Sequence, residues 1–279
     1  MQEAVFLGIV EIKDVFFSYS QELEDDCLRG ISFEVEKGEI FSVLGANGSG
    51  KSTLAEHLNA LLIPRKGTVS VCSLISSEAD NTADIRKKCG MVFSHSSERF
   101  FTSRVGDEVG FALTCAGDGT EYAGVKIDEY LKYVGMSREN NTRLDTLSEY
   151  ECLCVQLASV LAYQPEIVVF DGAAALIAGE EREEYFKLIL RLREDGKTIV
   201  IFTNQFDEAA VSDKTLLIKN GVAIACGNTR EILTDRVLLE MAGIEIPFPL
   251  KVYYDLQDSD IKLERPPLTI KELVDEICL

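Results

Sequence analysis

A glycine-rich loop, GANGSGKST from Gly45 to Thr53, constrains this 279-residue chain more than any other feature. A short apolar run, Ile40 to Leu44, precedes it, and a helical pattern with leucines 54, 58, 61 and 62 on one face follows it. Glycines let such a loop curl so that successive N–H groups point at phosphate oxygens, above the positive end of the helix dipole. The order strand, glycine loop, helix therefore predicts an α/β fold that binds phosphate.

The residue types of this loop, called the phosphate loop below, indicate a nucleotide held with magnesium. Lys51 is expected to reach the β and γ phosphates, and Ser52 to offer its hydroxyl to Mg²⁺. The buried-strand pattern PEIVVFDG ends in Asp171, which would stand at the same sheet edge and hold Mg²⁺ through water. The predicted nucleotide contacts within the loop are Gly45, Asn47, Gly48, Ser49, Gly50, Lys51, Ser52 and Thr53.

Composition limits the classes of partner. The 28 basic and 47 acidic side chains give a net charge of −19, which disfavours binding of nucleic acid through phosphate neutralisation. No run approaches the roughly 20 apolar residues of a membrane helix, and the first residues lack a basic leader pattern, so we expect a soluble, cytoplasmic protein. The eight cysteines have no paired C-x-x-C spacing, which indicates reduced thiols, and only His57 and His95 could serve zinc as imidazole ligands.

The remaining patterns predict how the chain is organised. Residues 4 to 43 contain short apolar or alternating stretches that predict an antiparallel strand set before the phosphate loop. A helical lobe, about 95–162, follows and interrupts a parallel sheet. Near the end, Thr269 and Glu272 fit a capping box, and an apolar stripe follows on the terminal helix. That stripe, whose members are Ile270, Leu273, Val274 and Ile277, would pack either on its own domain or at a subunit interface.

Together these motifs resemble the ATP-binding cassette (ABC) family, and more narrowly the ATPase subunits of energy-coupling factor (ECF) transporters. FSYS with Tyr19 is similar to the adenine-stacking loop, although a strand tyrosine is by itself more often a packing residue. The tail from GIEIPFPL to LTIKELVDEICL resembles the C-terminal extension that ECF ATPases use to dimerise. The resemblance implies an ABC cassette over 1–230, with a RecA-like core, an antiparallel β subdomain and the helical lobe, and a small helical extension over 231–279.

The positions that the resemblance assigns to hydrolysis depart from the family pattern. Ser94 replaces the expected glutamine, Gly172 the general-base glutamate, and Asn204 the switch histidine. The loop after Gly172 reads AAALIA, with Ala178 in place of an aspartate. The family signature LSGGQ corresponds here to Leu147, Ser148, Glu149, Tyr150 and Glu151. There a carboxylate and a ring would replace the glycines that let backbone donors approach the partner's nucleotide.

These departures imply an ECF-type subunit that binds ATP and Mg²⁺, hydrolyses ATP poorly or not at all, and pairs with a competent paralogous ATPase. The resemblance also implies a transmembrane coupling subunit, contacted through Glu98, Asp107 and Glu108, and a place on the inner face of the cell membrane. For these acidic residues, a solvated helix start is the alternative. Two further hypotheses remain: a non-transport regulatory or scaffold protein of the same fold, and an active enzyme in which another carboxylate such as Glu180 serves as base.

Overall fold

The computed structural model describes residues 8–20, 26–94, 100–117, 123–136, 140–256 and 263–278. Its strands are β1 Val10–Phe17, β2 Leu28–Val35, β3 Ile40–Leu44, β4 Lys66–Val71, β5 Leu74–Ile75, β6 Cys89–Phe93, β7 Ile167–Asp171, β8 Thr198–Thr203, β9 Lys214–Lys219 and β10 Val222–Asn228. Its helices are α1 Lys51–Leu58, α2 Thr82–Lys88, α3 Val105–Cys115, α4 Ala123–Tyr133, α5 Glu149–Leu161, α6 Glu180–Glu194, α7 Phe206–Ala210, α8 Thr229–Leu233, α9 Arg236–Ala242, α10 Phe248–Leu256 and α11 Ile270–Ile277. In this part of the chain, no helix has both the length and the apolar character needed to cross a membrane.

The larger sheet is a mostly parallel one with the strand order β10-β9-β3-β8-β7-β6. Strands β3, β6, β7 and β8 are buried almost throughout, which explains why they read as continuous apolar runs rather than alternating ones. Asp171 is level with Phe93 on one side and Phe202 on the other, and Leu44 is level with Thr203. The carboxyl ends of four strands therefore meet at one edge.

The smaller sheet is antiparallel, with the order β2-β1-β4-β5. Two details of the predicted strand set are wrong. Ile40–Leu44 pairs in parallel with β8 and β9, because its side chains are buried on both faces of the larger sheet. The two apolar stretches around Asp14 form one strand, β1, whose register shifts near Asp14, where φ is 49°.

Helices α3, α4 and α5 form the helical lobe and pack on one another through their apolar faces. Val109 and Leu113 of α3, Leu131 of α4 and Leu157 of α5 are buried in one cluster. The cluster continues into the larger sheet through Val168 of β7. The lobe and the sheet thus share a single core, and the limits of the lobe at 95 and 162 stay predictions.

Helices α8 to α11 follow the last strand, and α8, α9 and α10 pack against the β9 side of the larger sheet. Leu233, Leu239, Leu250 and Leu268 are buried in a cluster that includes Leu217 of β9. The predicted boundary at 230 falls inside α8, and the extent of the extension stays a prediction.

The predicted capping box at the start of α11 is half formed. Thr269 accepts a hydrogen bond from the Glu272 N–H at 3.1 Å, but the Glu272 carboxylate accepts from the Leu268 N–H at 2.9 Å and from Arg230 at 2.7 Å. Arg230 thereby draws the carboxylate away from the helix start. Of the predicted apolar stripe, Leu273 is buried, whereas three members are exposed in the single chain: Ile270, Val274 and Ile277.

Candidate functional site

The phosphate loop lies at the carboxyl edge of the larger sheet, between β3 and α1. Gly48 and Gly50 have left-handed backbones, with φ of 77° and 102°, which other residues rarely adopt. A Cβ on Gly45 would lie 2.4 Å from the Ile218 carbonyl oxygen, so a side chain is excluded there. At Gly48, by contrast, a Cβ would meet nothing within 4 Å, since this residue faces an open pocket.

This pocket has a volume of about 400 Å³, and the phosphate loop lines one side of it. Among the described residues that line it, Lys51 is the one cation and Asp171 the one anion. The Lys51 ammonium donates to the carbonyl oxygens of Gly45 at 2.8 Å and Ala46 at 2.9 Å. Burial lowers the pKa of Lys51, and the charge of Asp171 opposes that shift. The ammonium therefore lies at the loop backbone, where it could exchange its hydrogen bonds to the two carbonyl oxygens for hydrogen bonds to an entering phosphate.

Ser52 and Asp171, the predicted magnesium pair, are brought together across the sheet edge. The Ser52 hydroxyl donates to Oδ1 of Asp171 at 3.1 Å, although 119 residues separate the two in sequence. Hydroxyl and carboxylate oxygens are ligands that Mg²⁺ prefers. The glycine cradle, one lysine and this oxygen pair fit a nucleotide with its metal, and the metal would supply charge neutralisation at the phosphates.

Tyr19 lies beside the loop helix with its ring 68% exposed. Its hydroxyl is 3.1 Å from Oγ1 of Thr53, and its ring contacts Phe17 edge to face at 5.0 Å between centroids. Adenine stacking stays a prediction for this ring. Sequence reasoning missed Cys27, which lines the pocket with its sulfur 3.3 Å from Oγ1 of Thr53. Only the pairing of β1 with β2 places this cysteine there, so no local pattern points to it.

Ser94, Gly172 and Asn204, which the resemblance assigns to hydrolysis, line the same pocket, whereas Ala178 is not in its lining. Gly172 is left-handed, with φ of 59°, and a Cβ there would lie 3.6 Å from Cβ of Ser94. The Asn204 amide donates to Oδ1 of Asn47 in the phosphate loop at 3.1 Å. Glu180, the alternative base, is exposed at the start of α6 and does not line the pocket. Within the described lining, Asp171 is thus the only carboxylate available to act on a water molecule.

The signature positions form the start of α5. Ser148 is the N-cap: its hydroxyl accepts from the Glu151 N–H at 3.2 Å, and the Glu151 carboxylate accepts from the Ser148 N–H at 2.8 Å. The Ser148 hydroxyl also donates to Glu181 at 2.9 Å. This capping box uses the N–H groups of Ser148 and Glu151, which flank the two glycine positions of the signature.

The two side chains at the glycine positions of the signature differ in their exposure. Glu149 is exposed, as expected for a carboxylate facing a partner. The Tyr150 ring is partly buried against the core cluster of the lobe, and burial raises its pKa; the steric effect of this ring on a partner stays a prediction. Leu147 likewise packs against this cluster.

The predicted coupling residues lie at the start of α3. Asp107 is exposed, whereas Glu108 is only 6% exposed. The Glu108 carboxylate accepts from the N–H groups of Phe101 and Thr102 at 3.1 and 2.9 Å, and from the Thr102 hydroxyl at 2.8 Å. The Glu108 side chain therefore fixes its own loop at the edge of a groove, and its contact with a coupling subunit stays a prediction. Glu98 lies outside the described residues.

An apolar groove lies beside these residues, between α3, α5 and the edge of the larger sheet. It has a volume of about 420 Å³, and Phe101, 81% exposed, stands at its rim 5.3 Å from Phe111. Sequence reasoning used the polar residues of this stretch and missed the two rings. The groove also contacts Leu61, Met91, Val160 and Tyr163.

Comparison with known proteins gives consistent results. Residues 28–175 match the family model described as ABC transporter. The chain is 32% identical over 274 residues to an energy-coupling factor transporter ATP-binding protein, EcfA1, of Clostridium novyi, covering 97% of this chain and 98% of that protein. It is 31% identical over 271 residues to EcfA1 of Mycoplasmopsis synoviae, covering 97% and 100%.

Solved structures share the fold. With cbiO1 from Clostridium perfringens, described as part of the ABC transporter complex cbiONQ, the TM-score is 0.75 at 23% identity, covering 90% of this chain and 100% of that one. With the ATP-binding cassette MJ0796, described as a dimer in a post-hydrolysis state bound to ADP and Pi, it is 0.71 at 24% identity, covering 79% and 99%.

Proposed function

We propose that this chain binds ATP·Mg²⁺ and hydrolyses it weakly or not at all. The chain belongs to the ABC transporter family and is an ABC ATPase of the ECF type, and the proposal proceeds from that. The predicted fold class, an α/β P-loop ABC cassette with sheets and helices, is confirmed. A subunit with weak hydrolysis would keep ATP bound, and a competent paralogous ATPase beside it would hydrolyse ATP.

One observation carries this proposal: the groups suited to binding and the groups missing for hydrolysis lie around the same pocket. Lys51 and the Ser52–Asp171 pair are in place, while Gly172 occupies the general-base position. Glycine cannot polarise water, and loss of a general base costs about 10²–10⁴ in rate. Asn204 adds to the loss because a neutral amide cannot supply the charge of an imidazolium.

The start of α5 supports an unequal pair of subunits. In the family, one subunit's signature faces the nucleotide on the other subunit's phosphate loop. Here that surface would present the Glu149 carboxylate and a helix start at which the N–H groups of Ser148 and Glu151 are already used in a capping box. In a pair of two copies of this chain, each nucleotide would lack both a general base and an intact signature. In a pair with a competent paralogue, the paralogue's signature would face the nucleotide on this chain's phosphate loop, at Lys51.

The C-terminal extension offers a surface for such pairing. Ile270, Val274 and Ile277 of α11 form an exposed apolar stripe, while Leu273 of the same helix is buried and α11 contacts α10. We assign this stripe to contact between subunits. Its exposure in the single chain favours an interface over packing within its own domain.

The groove at Phe101 and Phe111 is the surface we assign to a transmembrane coupling subunit. Its apolar lining suits an amphipathic helix, and the exposed Asp107 carboxylate suits a basic residue on that helix. Since cbiO1 is described as part of the complex cbiONQ, a comparable membrane assembly is proposed here, with this chain on the inner face of the membrane.

The test is ATP turnover by the purified chain, with Lys51→Ala as the matched control, alone and mixed with its paralogue. We expect the chain alone to bind nucleotide without turnover above the Lys51→Ala background. Turnover that Lys51→Ala abolishes would overturn the proposal. For the membrane contact, Asp107→Lys should reduce co-purification with the transmembrane subunit, and undiminished co-purification would remove Asp107 from that role.

A further inference from the structure

We propose that Arg182 is a positioning residue for the nucleotide, because it joins the two loops that line the pocket next to the phosphate loop. These are the β7–α6 loop, residues 172–179, and the β8–α7 loop, residues 204–205. Arg182 lies in the first turn of α6 and is not part of the described pocket lining, so it would act on the ligand through these loops. This inference rests on the proposed function, since it concerns how the same nucleotide pocket is held in its binding geometry.

The Arg182 guanidinium bridges the β7–α6 loop and α7. Its Nη1 donates to the carbonyl oxygens of Ala174 at 3.0 Å and Ile177 at 3.2 Å, which both belong to the β7–α6 loop. Its Nε and Nη2 donate to the two carboxylate oxygens of Asp207 at 2.7 and 2.8 Å, and Nη2 also reaches Glu208 at 3.4 Å. An arginine side chain has five N–H donors, so these five contacts use all of them.

The β7–α6 loop can be bonded in this way only through its backbone. Residues 173–178 read AAALIA, and none of these side chains can form a hydrogen bond. Ala174 and Ile177 are buried in the core, whereas Ala175 lines the pocket. The carbonyl oxygen of Ala175 accepts from the Gln205 side-chain amide at 3.1 Å. Two side chains from outside the loop, those of Arg182 and Gln205, therefore bond three of its carbonyl oxygens.

The β8–α7 loop is in turn bonded to the phosphate loop. Thr203, the last residue of β8, accepts at its carbonyl oxygen from the Gly45 N–H at 3.2 Å. The Asn204 amide donates to Asn47 at 3.1 Å. Because Arg182 holds α7 directly after this loop, the three segments around the pocket form one connected hydrogen-bond network.

The position of this bridge makes it a strong one. The Arg182 side chain is largely buried, and its two-point contact with Asp207 is charge-assisted and fixes both groups in orientation. Without the bridge, nucleotide binding would have to order both loops. Ordering one long side chain on binding costs about twofold to tenfold in affinity, so we expect loss of the bridge to raise the dissociation constant of the nucleotide about tenfold.

The experiment measures the dissociation constant of a non-hydrolysable ATP analogue with Mg²⁺ by calorimetry, on the original full chain and on Arg182→Gln. Both are measured at a temperature where circular dichroism shows them to be folded, so that a loss of stability alone leaves the constant unchanged. We expect the increase given above, and equal constants would overturn the inference. Failure of the original chain to bind the analogue overturns the proposed function as well, whereas ATP turnover that depends on Lys51 overturns the proposed function alone.

Arg191 in the last turn of α6 provides the matched control. It also donates to a carbonyl oxygen, that of Tyr133 at 2.8 Å, and it lies over the Tyr133 ring as Arg182 lies over the ring of Phe186. Its contacts are with the helical lobe, at the opposite end of the helix from the pocket loops. Arg191→Gln should therefore leave the dissociation constant unchanged, and an increase equal to that of Arg182→Gln would overturn the inference.

Arg182→Lys separates positioning from charge. Lysine keeps the positive charge but has a single nitrogen in place of the planar fork, so it cannot bond the β7–α6 loop and both oxygens of Asp207 together. We expect Arg182→Lys to bind the analogue as weakly as Arg182→Gln does. Recovery of the original dissociation constant by lysine would mean that charge alone is needed, and it would overturn the inference.

Asp207→Ala cuts the same bridge at its half-exposed end, so it tests the inference even if Arg182→Gln does not fold. It should also raise the dissociation constant, because Arg182 then lacks its two-point contact with α7. An unchanged constant in Asp207→Ala would overturn the inference.

Discussion

The burial of the Glu208 carboxylate can be tested through the pH dependence of the free energy of unfolding. It lies on α7, directly after the Asn204 segment, and it is only 1% exposed. Arg182 approaches its carboxylate at 3.4 Å and forms a closer, two-point contact with Asp207 at 2.7 and 2.8 Å. Burial raises the pKa of Glu208 from 4.5 to about 7, although hydrogen bonding to Thr203 and the charge of Arg182 oppose the rise.

The raised pKa makes Glu208 a source of pH-dependent instability. Between pH 4.5 and pH 7, the folded chain holds this proton while the unfolded chain has released it. The folded state binds more protons in that window, so the free energy of unfolding falls as pH rises. Integration from pH 5.5 to pH 8 gives a loss of about 2 kcal/mol from this residue alone.

The perturbation is Glu208→Gln, which keeps the shape and removes the titration. We expect the free energy of unfolding of the variant, relative to the original chain, to rise by about 2 kcal/mol between pH 5.5 and pH 8. Urea denaturation at the two pH values measures it. His57, whose pKa burial lowers, titrates equally in both proteins and cancels.

The control is Glu183→Gln on α6, an exposed glutamate whose replacement should leave the pH dependence of the original chain unchanged. If the profiles of Glu208→Gln and of the original chain stay parallel within about 0.5 kcal/mol, the scatter within which independent changes in stability add, the assignment of a buried, titrating Glu208 is refuted.

Two further predictions concern carboxylates and caps that hold loops. Glu108→Ala removes the acceptor for the N–H groups of Phe101 and Thr102, and we expect a loss of about 1–3 kcal/mol by urea denaturation. The exposed neighbour change Asp107→Ala is its control, and equal effects of the two would contradict the buried role of Glu108. Ser148→Ala removes the N-cap of α5 and should cost about 1 kcal/mol, whereas Ser148→Thr, which keeps a hydroxyl to accept from Glu151 and donate to Glu181, should retain most of the stability; equal losses in the two variants would contradict the capping role.

The local patterns predicted the parallel sheet and the composition of the pocket well. Continuous apolar runs identify buried parallel strands, and the polar residue after each such run must then fall at one edge. This is why Asp171, Ser94 and Asn204 lie around the phosphate loop although they are distant in sequence. The distances of these residues from the phosphate loop depend on the order of the strands in the sheet, which the sequence alone does not specify.

Tertiary contacts explain where the sequence interpretation failed. Glu108 and Asp107 are adjacent acidic residues, yet one faces the loop at Phe101 and the other faces solvent, because α3 turns by about 100° per residue. Arg182 contacts the carbonyl oxygens of Ala174 and Ile177 as well as Asp207. Its sequence neighbours give no sign of this network, which depends on the meeting of α6 with α7.

Two of the places where this chain departs from its family share one physical property: hydrogen-bonding groups there are already satisfied within the chain. The Asn204 amide bonds to Asn47, and at the start of α5 the N–H groups of Ser148 and Glu151 each bond to the other residue's side chain. A donor already satisfied within the chain gains little from a phosphate, because binding must first break the existing hydrogen bond.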